Sequence, residues 1–420
     1  MTLWTSRPMV WLSWLLFGCC AAHPVAAADS GEPALWPQWR GPQRDAQVER
    51  RAWPESLAQD HLQLRWRREL APSYSGPIVG EHSVFVTETR DQRTEVVRCL
   101  DRATGEERWR AEWEGSLTVP FFAASNGSWI RSTPAYDGER LYVAGMRDVL
   151  VCLDARTGDR LWIVDFPQVL GSPLPDFGFV SSPLLHGDDL YVQAGGAFVK
   201  LNKLSGELVW RSLEDGGGMY GSAFSSPDLA VFQGVPQLLV QTRSKLAGVD
   251  PERGTVLWER EITAFRGMNI LTPTVIGDSV FVSSYGGRSL LLTPELREGA
   301  WDVQESWTNK AQGYMSSPVV IADHIYLHLR NQRFVCLDAR TGDSLWTTTP
   351  FGKYWSMVAN GDRILALDQR GELLLIRANP SQFELIDRRQ IAEDSWAHLA
   401  VCGEELFVRE LEAISAYEWK

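Results

Sequence analysis

The stretch L-D-R-A-T-G-E-E-R-W at residues 100–109 decides the fold, because the chain repeats it. Each copy has an Asp or Asn, a Gly four residues later and a Trp four residues after that. Five copies end at Trp109, Trp162, Trp210, Trp258 and Trp346. Self-similarity at a regular spacing indicates a repeat architecture, so the fold has to be derived from the repeat unit.

A proline and a short apolar run precede each copy. Pro134 leads to L-Y-V at residues 141–143, and Pro318 leads to I-Y-L at residues 325–327. β-Branched and aromatic runs between Gly and Asp turns predict antiparallel strands. A Gly that tolerates a left-handed backbone then closes a short hairpin. One repeat therefore predicts one four-stranded antiparallel blade, whose last strand carries the tryptophan.

The spacing of the motif glycines sets the number of blades. Gly105, Gly158, Gly206 and Gly254 lie one repeat apart, whereas Gly342 follows after two, so a blade without the motif lies between. Two further units follow, and the last lacks its fourth strand, which the segment around Trp66 can supply. This strand closes the ring and removes an exposed edge. We predict an all-β, eight-bladed β-propeller closed by an N-terminal strand, with seven blades as the alternative.

Residues 1–28 have the pattern of a secretory signal peptide. Arg7 is basic, residues 9–22 are mostly apolar, and small residues at 25–28 suit cleavage. The apolar run is shorter than the roughly 20 residues of a membrane span. The segment ending at Cys19 also resembles a bacterial lipobox, so a lipid anchor at Cys19 stays open. We predict a signal peptide at 1–28, a leader at 29–62 that packs on the propeller, and the propeller at 63–420.

Composition and charge narrow the class of partner. The chain has 420 residues with a net charge of −12, 44% hydrophobic and 22% charged residues, as in ordinary globular proteins. Net negative charge argues against nucleic acid or an anionic membrane surface as the main partner. Cys99, Cys152 and Cys336 stand at one point of the repeat, where they are expected to be small buried hydrophobes without disulfides. We expect an exported monomer in the periplasm or cell envelope, with no transmembrane helix.

The Asp-x-x-Thr-Gly-x-x-x-Trp pattern resembles the tryptophan-docking motif of the PQQ-repeat β-propellers, a superfamily that includes the quinoprotein alcohol dehydrogenases and the BamB-type outer-membrane assembly factors. The resemblance covers roughly residues 64–420. It implies that the motif tryptophans are structural and pack between blades: Trp66, Trp109, Trp162, Trp210, Trp258 and Trp346. Aspartates of the motif are expected to cap their own turns. The opening at residues 35–42 resembles that of many exported members and implies a strap packed on the propeller.

No catalytic constellation is recognisable in the mature chain. The dehydrogenases of this superfamily commonly use a vicinal cysteine pair, pyrroloquinoline quinone and a divalent cation, but the only adjacent cysteines are Cys19 and Cys20 of the signal. Haem, nucleophile-elbow and phosphate-loop motifs are absent from the sequence. His324 and His328 flank a predicted strand and are not expected to bind a metal. The sequence favours a protein that is not an enzyme and has no cofactor or metal, with pyrroloquinoline quinone as the open alternative.

Connections between successive blades gather on one face and carry aromatic and basic residues. The candidate binding residues are Arg131, Tyr220, Arg266, Tyr314, Trp355 and Trp396. Such a surface suits an extended peptide, a glycan or a planar ligand, although the same residues could merely fill the propeller centre. We favour an exported, non-catalytic binding or scaffold propeller that engages protein partners in the cell envelope, similar to the BamB-type factors. A PQQ-dependent or related dehydrogenase and a glycan-binding propeller are the alternatives.

Overall fold

Strands account for nearly all regular structure in the computed structural model, which describes Met1 and residues 34–48, 52–216 and 223–420. The first strand is Leu62–Glu69 (β1). The strands of blades 1 and 2 are Ile78–Val79 (β2), Ser83–Arg90 (β3), Thr94–Asp101 (β4), Glu107–Glu114 (β5), Ala135–Tyr136 (β6), Arg140–Gly145 (β7), Val149–Asp154 (β8) and Arg160–Asp165 (β9). Those of blades 3 and 4 are Leu184–His186 (β10), Asp189–Ala194 (β11), Ala197–Asn202 (β12), Leu208–Ser212 (β13), Asp228–Phe232 (β14), Val235–Gln241 (β15), Lys245–Val249 (β16) and Val256–Glu261 (β17).

The remaining strands build the second half of the ring. Those of blades 5 and 6 are Thr274–Ile276 (β18), Ser279–Ser283 (β19), Ser289–Arg297 (β20), Ala300–Asn309 (β21), Val319–Ile321 (β22), His324–His328 (β23), Phe334–Asp338 (β24) and Ser344–Thr347 (β25). Those of blades 7 and 8 are Ser356–Asn360 (β26), Arg363–Leu367 (β27), Glu372–Arg377 (β28), Glu384–Gln390 (β29), Ala400–Cys402 (β30), Glu405–Arg409 (β31) and Ala413–Trp419 (β32). The connections contain one short α-helix, Phe166–Leu170 (α1), and the 3-10 turns Phe121–Asn126 and Phe265–Gly267.

The described strands form eight four-stranded antiparallel sheets, which confirms the predicted eight-bladed propeller. Seven blades use four consecutive strands, and the eighth has the order β1-β32-β31-β30. The N-terminal strand pairs along most of its length with β32, from Leu62 opposite Trp419 to Glu69 opposite Ala413. The two ends of the chain thus complete one sheet, and neither is left as an open edge inside the ring.

The motif tryptophans cover the glycine turn of the following blade. Trp109 donates its indole N–H to the carbonyl oxygen of Ala155 at 3.0 Å, and a Cβ on Gly158 would lie 2.5 Å from its ring. Asp154 accepts the backbone N–H groups of Arg156 and Thr157, both at 2.9 Å, which holds that turn in shape. The same indole-over-glycine contact joins Trp66 to Gly105, Trp162 to Gly206 and Trp210 to Gly254. These glycines have positive φ, and a side chain on them would collide with the indole. Each glycine therefore allows both the turn of its own blade and the close contact with the tryptophan of the preceding blade.

Blades 4 and 5 depart from the predicted pattern. Trp258 donates its indole N–H to Gln237 in its own blade, because the blade that follows replaces the short motif turn by the long hairpin of β20 and β21. Trp307 instead covers the next motif turn, donating to the carbonyl of Ala339 at 2.8 Å over Gly342. The docking set is therefore corrected by replacing Trp258 with Trp307. Trp346 donates to the carbonyl of Asn379 at 2.8 Å in a blade that lacks the motif.

Two further expectations concern disulfides and membrane helices. Cys99, Cys152 and Cys336 are buried thiols on the third strands of their blades. Across the described ranges, no helix has the length and apolarity needed to cross a membrane.

Candidate functional site

Leader residues 34–48, named the strap here, fill the centre of the ring. The strap touches the first strand, or the residues just before it, in all eight blades. These contacts are Trp36 with Val79, Pro37 with Tyr136, Arg44 with Pro183 and Pro227, Trp39 with Thr272, Arg40 with Pro318, Val48 with Ala359, and Trp39 with His398. The centre is thus closed by the chain's own N-terminal segment and not by the inter-blade connections.

Two arginines of the strap are wholly buried in this centre. Arg44 donates to the carbonyl oxygens of Pro183 at 3.0 Å and Pro227 at 2.7 Å, and it lies 4.0 Å from Asp228. Arg40 donates to the carbonyl oxygen of Pro318 at 2.5 Å. Burial lowers the pKa of each guanidinium to about 10, and burial raises the pKa of Asp228 to about 6 despite the nearby Arg44. A guanidinium has several donors, so one side chain can join the carbonyls of different blades.

The connections from the fourth strand of one blade to the first of the next lie on the face that we call the aromatic rim. Six rings form a continuous chain of contacts along it. The centroid distances are 5.3 Å for Trp129–Tyr74, 4.6 Å for Tyr74–Trp396, 4.7 Å for Trp396–Tyr354, 5.9 Å for Tyr354–Tyr314 and 5.2 Å for Tyr314–Tyr285. Most of these pairs meet edge to face, the geometry that the aromatic quadrupole favours. Trp39 of the strap lines a small depression beneath Tyr354 and Trp396 and so forms part of its floor.

Three of the predicted binding residues meet on this rim. Trp396 and Tyr314 belong to the ring chain, and the Arg131 guanidinium lies 5.7 Å from the centre of the Tyr74 ring. Tyr74 and Tyr354, which join them, were not singled out by the sequence analysis. The signal for Tyr74 was available, because P-S-Y-S-G-P at 72–77 occupies the position of an inter-blade connection after β1.

The other predicted binding residues lie elsewhere. Trp355 is only 2% exposed and stacks on His328 at 4.4 Å beneath the rim, so its prediction as a surface residue is corrected. Its neighbour Tyr354 has a φ of 54°, which turns the chain so that the tyrosine, not the tryptophan, joins the rim. Arg266 is exposed on the connection between blades 4 and 5, over the ring of Phe265. Tyr220 lies outside the described residues.

Burial sets the protonation behaviour around Tyr74. Burial, reinforced by the Asp394 carboxylate, raises the pKa of Tyr74 to about 12. Burial also raises the pKa of Asp394 and lowers that of Arg131. Tyr74 therefore stays protonated at neutral pH and presents a hydroxyl, not a phenolate base. Nothing in this arrangement resembles a nucleophile paired with a general base.

The residues do not fit a quinone cofactor with a divalent cation. In the part of the chain that the structure describes, no group of three or more His, Cys, Asp or Glu side chains is placed to hold a metal. Cys99, Cys152 and Cys336 lie in three different blades and cannot form a vicinal pair. The position on the propeller axis is taken by the strap.

Eight antiparallel blades, with a tryptophan over a glycine turn at five of the junctions between them, define this protein as a β-propeller of PQQ-type repeats. Residues 93–348 match the family model described as outer membrane protein assembly factor BamB. The chain belongs to this family. One relative is the outer membrane protein assembly factor BamB of Yersinia pestis, which is 24% identical over 287 residues. That match covers 66% of this chain and 65% of the relative, so the chain spans about two thirds of the relative's length.

Solved structures share the fold at low sequence identity. BamB from Moraxella catarrhalis superposes with a TM-score of 0.61 at 17% identity, covering 85% of this chain and all of that one. A europium-containing methanol dehydrogenase superposes with a TM-score of 0.53 at 12% identity, covering 91% of each chain. The propeller architecture is thus common to a protein named as an assembly factor and to one named as an enzyme, so function has to be argued from the site.

Proposed function

We propose that this chain is an exported, non-catalytic scaffold propeller that binds protein partners in the cell envelope and assists outer-membrane assembly. Membership of the BamB family supports the class of function. The observation that carries the proposal is the aromatic rim, a continuous chain of six rings, most of them half-buried, beside a centre that the strap already fills. Tyrosine and tryptophan on a rigid scaffold are the side chains that most often anchor protein interfaces.

The proposed location follows from the N-terminal sequence. The signal-like residues 2–28 lie outside the described residues, so cleavage near residue 28 and acylation of Cys19 remain competing hypotheses. Both deliver the propeller to the envelope, either as a free periplasmic protein or on a lipid anchor. Labelling cells with a radioactive fatty acid distinguishes them, since only Cys19 acylation gives a labelled chain that Cys19→Ala abolishes.

The test of function is complementation in the native host. Deletion of the gene is expected to lower the amount of folded outer-membrane β-barrel proteins, measured by their heat-modifiable migration on gels. The wild-type chain and the matched control Leu161→Ala, an exposed residue of β9 far from the rim, should restore that amount. The double variant Tyr314→Ala/Trp396→Ala should restore it poorly while being present at the same level. Full complementation by the rim variant would contradict the proposed role of the rim, and an unaffected deletion strain would contradict assembly.

The dehydrogenase alternative is tested on purified protein. Incubation with pyrroloquinoline quinone and Ca²⁺, followed by dye reduction with alcohols and sugars, should give no turnover above a blank without protein. Sustained dye reduction would overturn the non-catalytic assignment.

A further inference from the structure

The loops of blades 5, 6 and 7 on the rim face form a basic sector in an acidic protein. They comprise residues 262–273, 284–288, 310–318, 329–333, 348–355 and 368–371, which hold seven basic residues and one acidic residue. The basic residues are Arg266, Arg288, Lys310, Arg330, Arg333, Lys353 and Arg370. The acid, Asp368, is buried and accepts the backbone N–H groups of its own turn. Since the chain carries a net charge of −12, this clustering is a local feature of the rim.

These cations have no carboxylate partner in the part of the chain that the structure describes. None of the seven forms an ion pair with a residue in the described ranges. Several basic side chains elsewhere do form ion pairs, as in Arg93–Glu114 at 3.1 Å, Lys245–Glu259 at 2.8 Å and Arg260–Glu305 at 2.9 Å. Unpaired positive charge on a rigid face raises the local concentration of anionic partners and speeds their association.

Two of the cations are held in place by aromatic rings. The Arg330 guanidinium lies 4.2 Å from the centre of the Tyr285 ring, and the Lys353 ammonium lies 4.4 Å from that of Tyr354. Cation–π contacts of this kind are worth about 0.5–1 kcal/mol at exposed sites and keep long side chains from sampling all rotamers. Arg330 and Lys353 also line one depression together with Tyr314 and Tyr354. A second, wider cleft beside it, of about 500 Å³, has a mixed lining in which Arg370 and Arg388 face Asp368 and Glu372, so the depression at Arg330 and Lys353 is the more basic of the two.

We propose that this basic sector binds an acidic, tyrosine- or phenylalanine-containing segment of a partner polypeptide, a proposal that rests on the proposed protein-binding function and names the chemistry of the partner. Carboxylates of the segment lie between Arg330 and Lys353, and its apolar side chains contact the Tyr314 ring. A polypeptide fits better than a glycan, because sugars stack on free ring faces, whereas cations cover Tyr285 and Tyr354 here. The sector spans three blades, which suits an extended chain. The neighbouring loops of blade 8 carry the acidic residues Glu393, Asp394, Glu410 and Glu412. Because these residues repel an acidic segment, its contact with the protein is limited to blades 5–7.

The test uses the full-length mature protein and a fluorescent random copolymer of glutamate and tyrosine, which samples many acidic sequences. Binding is measured by fluorescence anisotropy at increasing salt. We expect saturable binding that weakens with salt, as screening requires. Arg330→Glu/Lys353→Glu should weaken it at least about tenfold, which is about 1.4 kcal/mol. The matched control Arg156→Glu/Arg340→Glu makes the same charge change on exposed turns that follow β8 and β24, on the opposite face, and should leave affinity within about twofold.

Three outcomes would overturn the proposal: no binding of the copolymer, equal loss in both double variants, or equal binding of a lysine–tyrosine copolymer. Binding of an oligogalacturonate without binding of the acidic copolymer would assign the sector to glycans and overturn it as well. Complementation in the host separates this result from the proposed function. If Arg330→Glu/Lys353→Glu complements fully and the copolymer does not bind, the acidic-segment proposal fails while the scaffold function stands.

Discussion

Arg44 of the strap donates two hydrogen bonds to the carbonyl oxygen of Pro227, from Nη2 at 2.7 Å and from Nε at 3.1 Å. The two residues are far apart in sequence, and Pro227 stands immediately before the first strand of blade 4. A third nitrogen of the same guanidinium reaches Pro183, before blade 3. The segment that precedes the propeller thus forms part of its centre.

Removal of this guanidinium should destabilise the whole ring. Arg44→Ala leaves two buried carbonyls without donors and Asp228 with only Arg40 as a nearby cation, so a loss of about 3 kcal/mol in unfolding free energy is expected. Chemical denaturation measures it. Gln43→Ala, an exposed neighbour, should change stability by less than about 0.5 kcal/mol. Equal stability of Arg44→Ala and wild type would show that the strap is not required for the centre.

Removal of the strap and removal of β1 should have different effects on folding. A chain beginning at residue 52 lacks the strap but keeps β1, and we expect it to fold with a lower melting temperature. A chain beginning at residue 71 also lacks β1, which exposes the edge of β32 and removes Leu62 and Trp66 from the core, so no cooperative transition is expected. Circular dichroism during heating compares the two. Cooperative unfolding of the shorter chain would contradict closure by β1.

Glycine substitutions separate backbone strain from blade contact. Gly158→Ala places a methyl group 2.5 Å from the Trp109 ring at a φ of 79°, whereas Gly187→Ala has a φ of 58° and no atom within 4 Å. The second change should cost about 1–2 kcal/mol for left-handed backbone alone. The first should cost about 1–3 kcal/mol more through overpacking. Denaturant titration of both variants gives the difference in unfolding free energy. Equal losses of unfolding free energy in the two variants would mean that the Trp109 ring moves aside at no cost.

The folded state should become less stable as the pH rises, because the carboxyl group of Asp148 is buried. Burial raises the pKa of this carboxyl to about 7, although it accepts the N–H of Gly195 at 2.7 Å. The unfolded group titrates near pH 4, as an ordinary aspartate does. The folded state therefore holds a proton that the unfolded chain releases between about pH 4 and 7, and this stabilisation is lost as the pH rises through 7.

Asp148→Asn removes that dependence. Relative to wild type, the variant should gain about 2–3 kcal/mol between pH 5 and pH 8, at about 1.4 kcal/mol per pKa unit. Melting temperatures across that range provide the measurement. Asp188→Asn, at a carboxyl whose side chain is 88% exposed, serves as the control and should track the wild type. Parallel pH profiles for Asp148→Asn and wild type would rule out the buried proton.

The blade count could be predicted from the sequence because each repeat specifies its own local structure. The motif turn at 101–105 needs only its own Asp and Gly, and the spacing to Trp109 fixes the register of the hairpin. The exchange of Trp258 for Trp307 could not be predicted. It depends on the length of the hairpin in the neighbouring blade, and a motif match does not contain that information.

The binding face was predicted only in part for a similar reason. Sequence identified the connections that reach one face, and with them Tyr314, Trp396 and Arg131. Whether Tyr354 or Trp355 belongs to the rim depends on one backbone torsion, the φ of Tyr354. Residue propensities do not predict that torsion, because both neighbours are large aromatic residues.

The sequence by itself determined the architecture: eight blades, closure by the N-terminal strand, and tryptophans placed over glycine turns. These features arise from contacts within one repeat or between neighbouring repeats, so a fixed spacing encodes them. Only the tertiary structure decided that the strap occupies the centre and that seven cations, none of them paired with a carboxylate of the described residues, meet in one sector of the rim. Both depend on residues that are distant along the chain and are brought together only when the ring closes, and no local pattern records such a meeting.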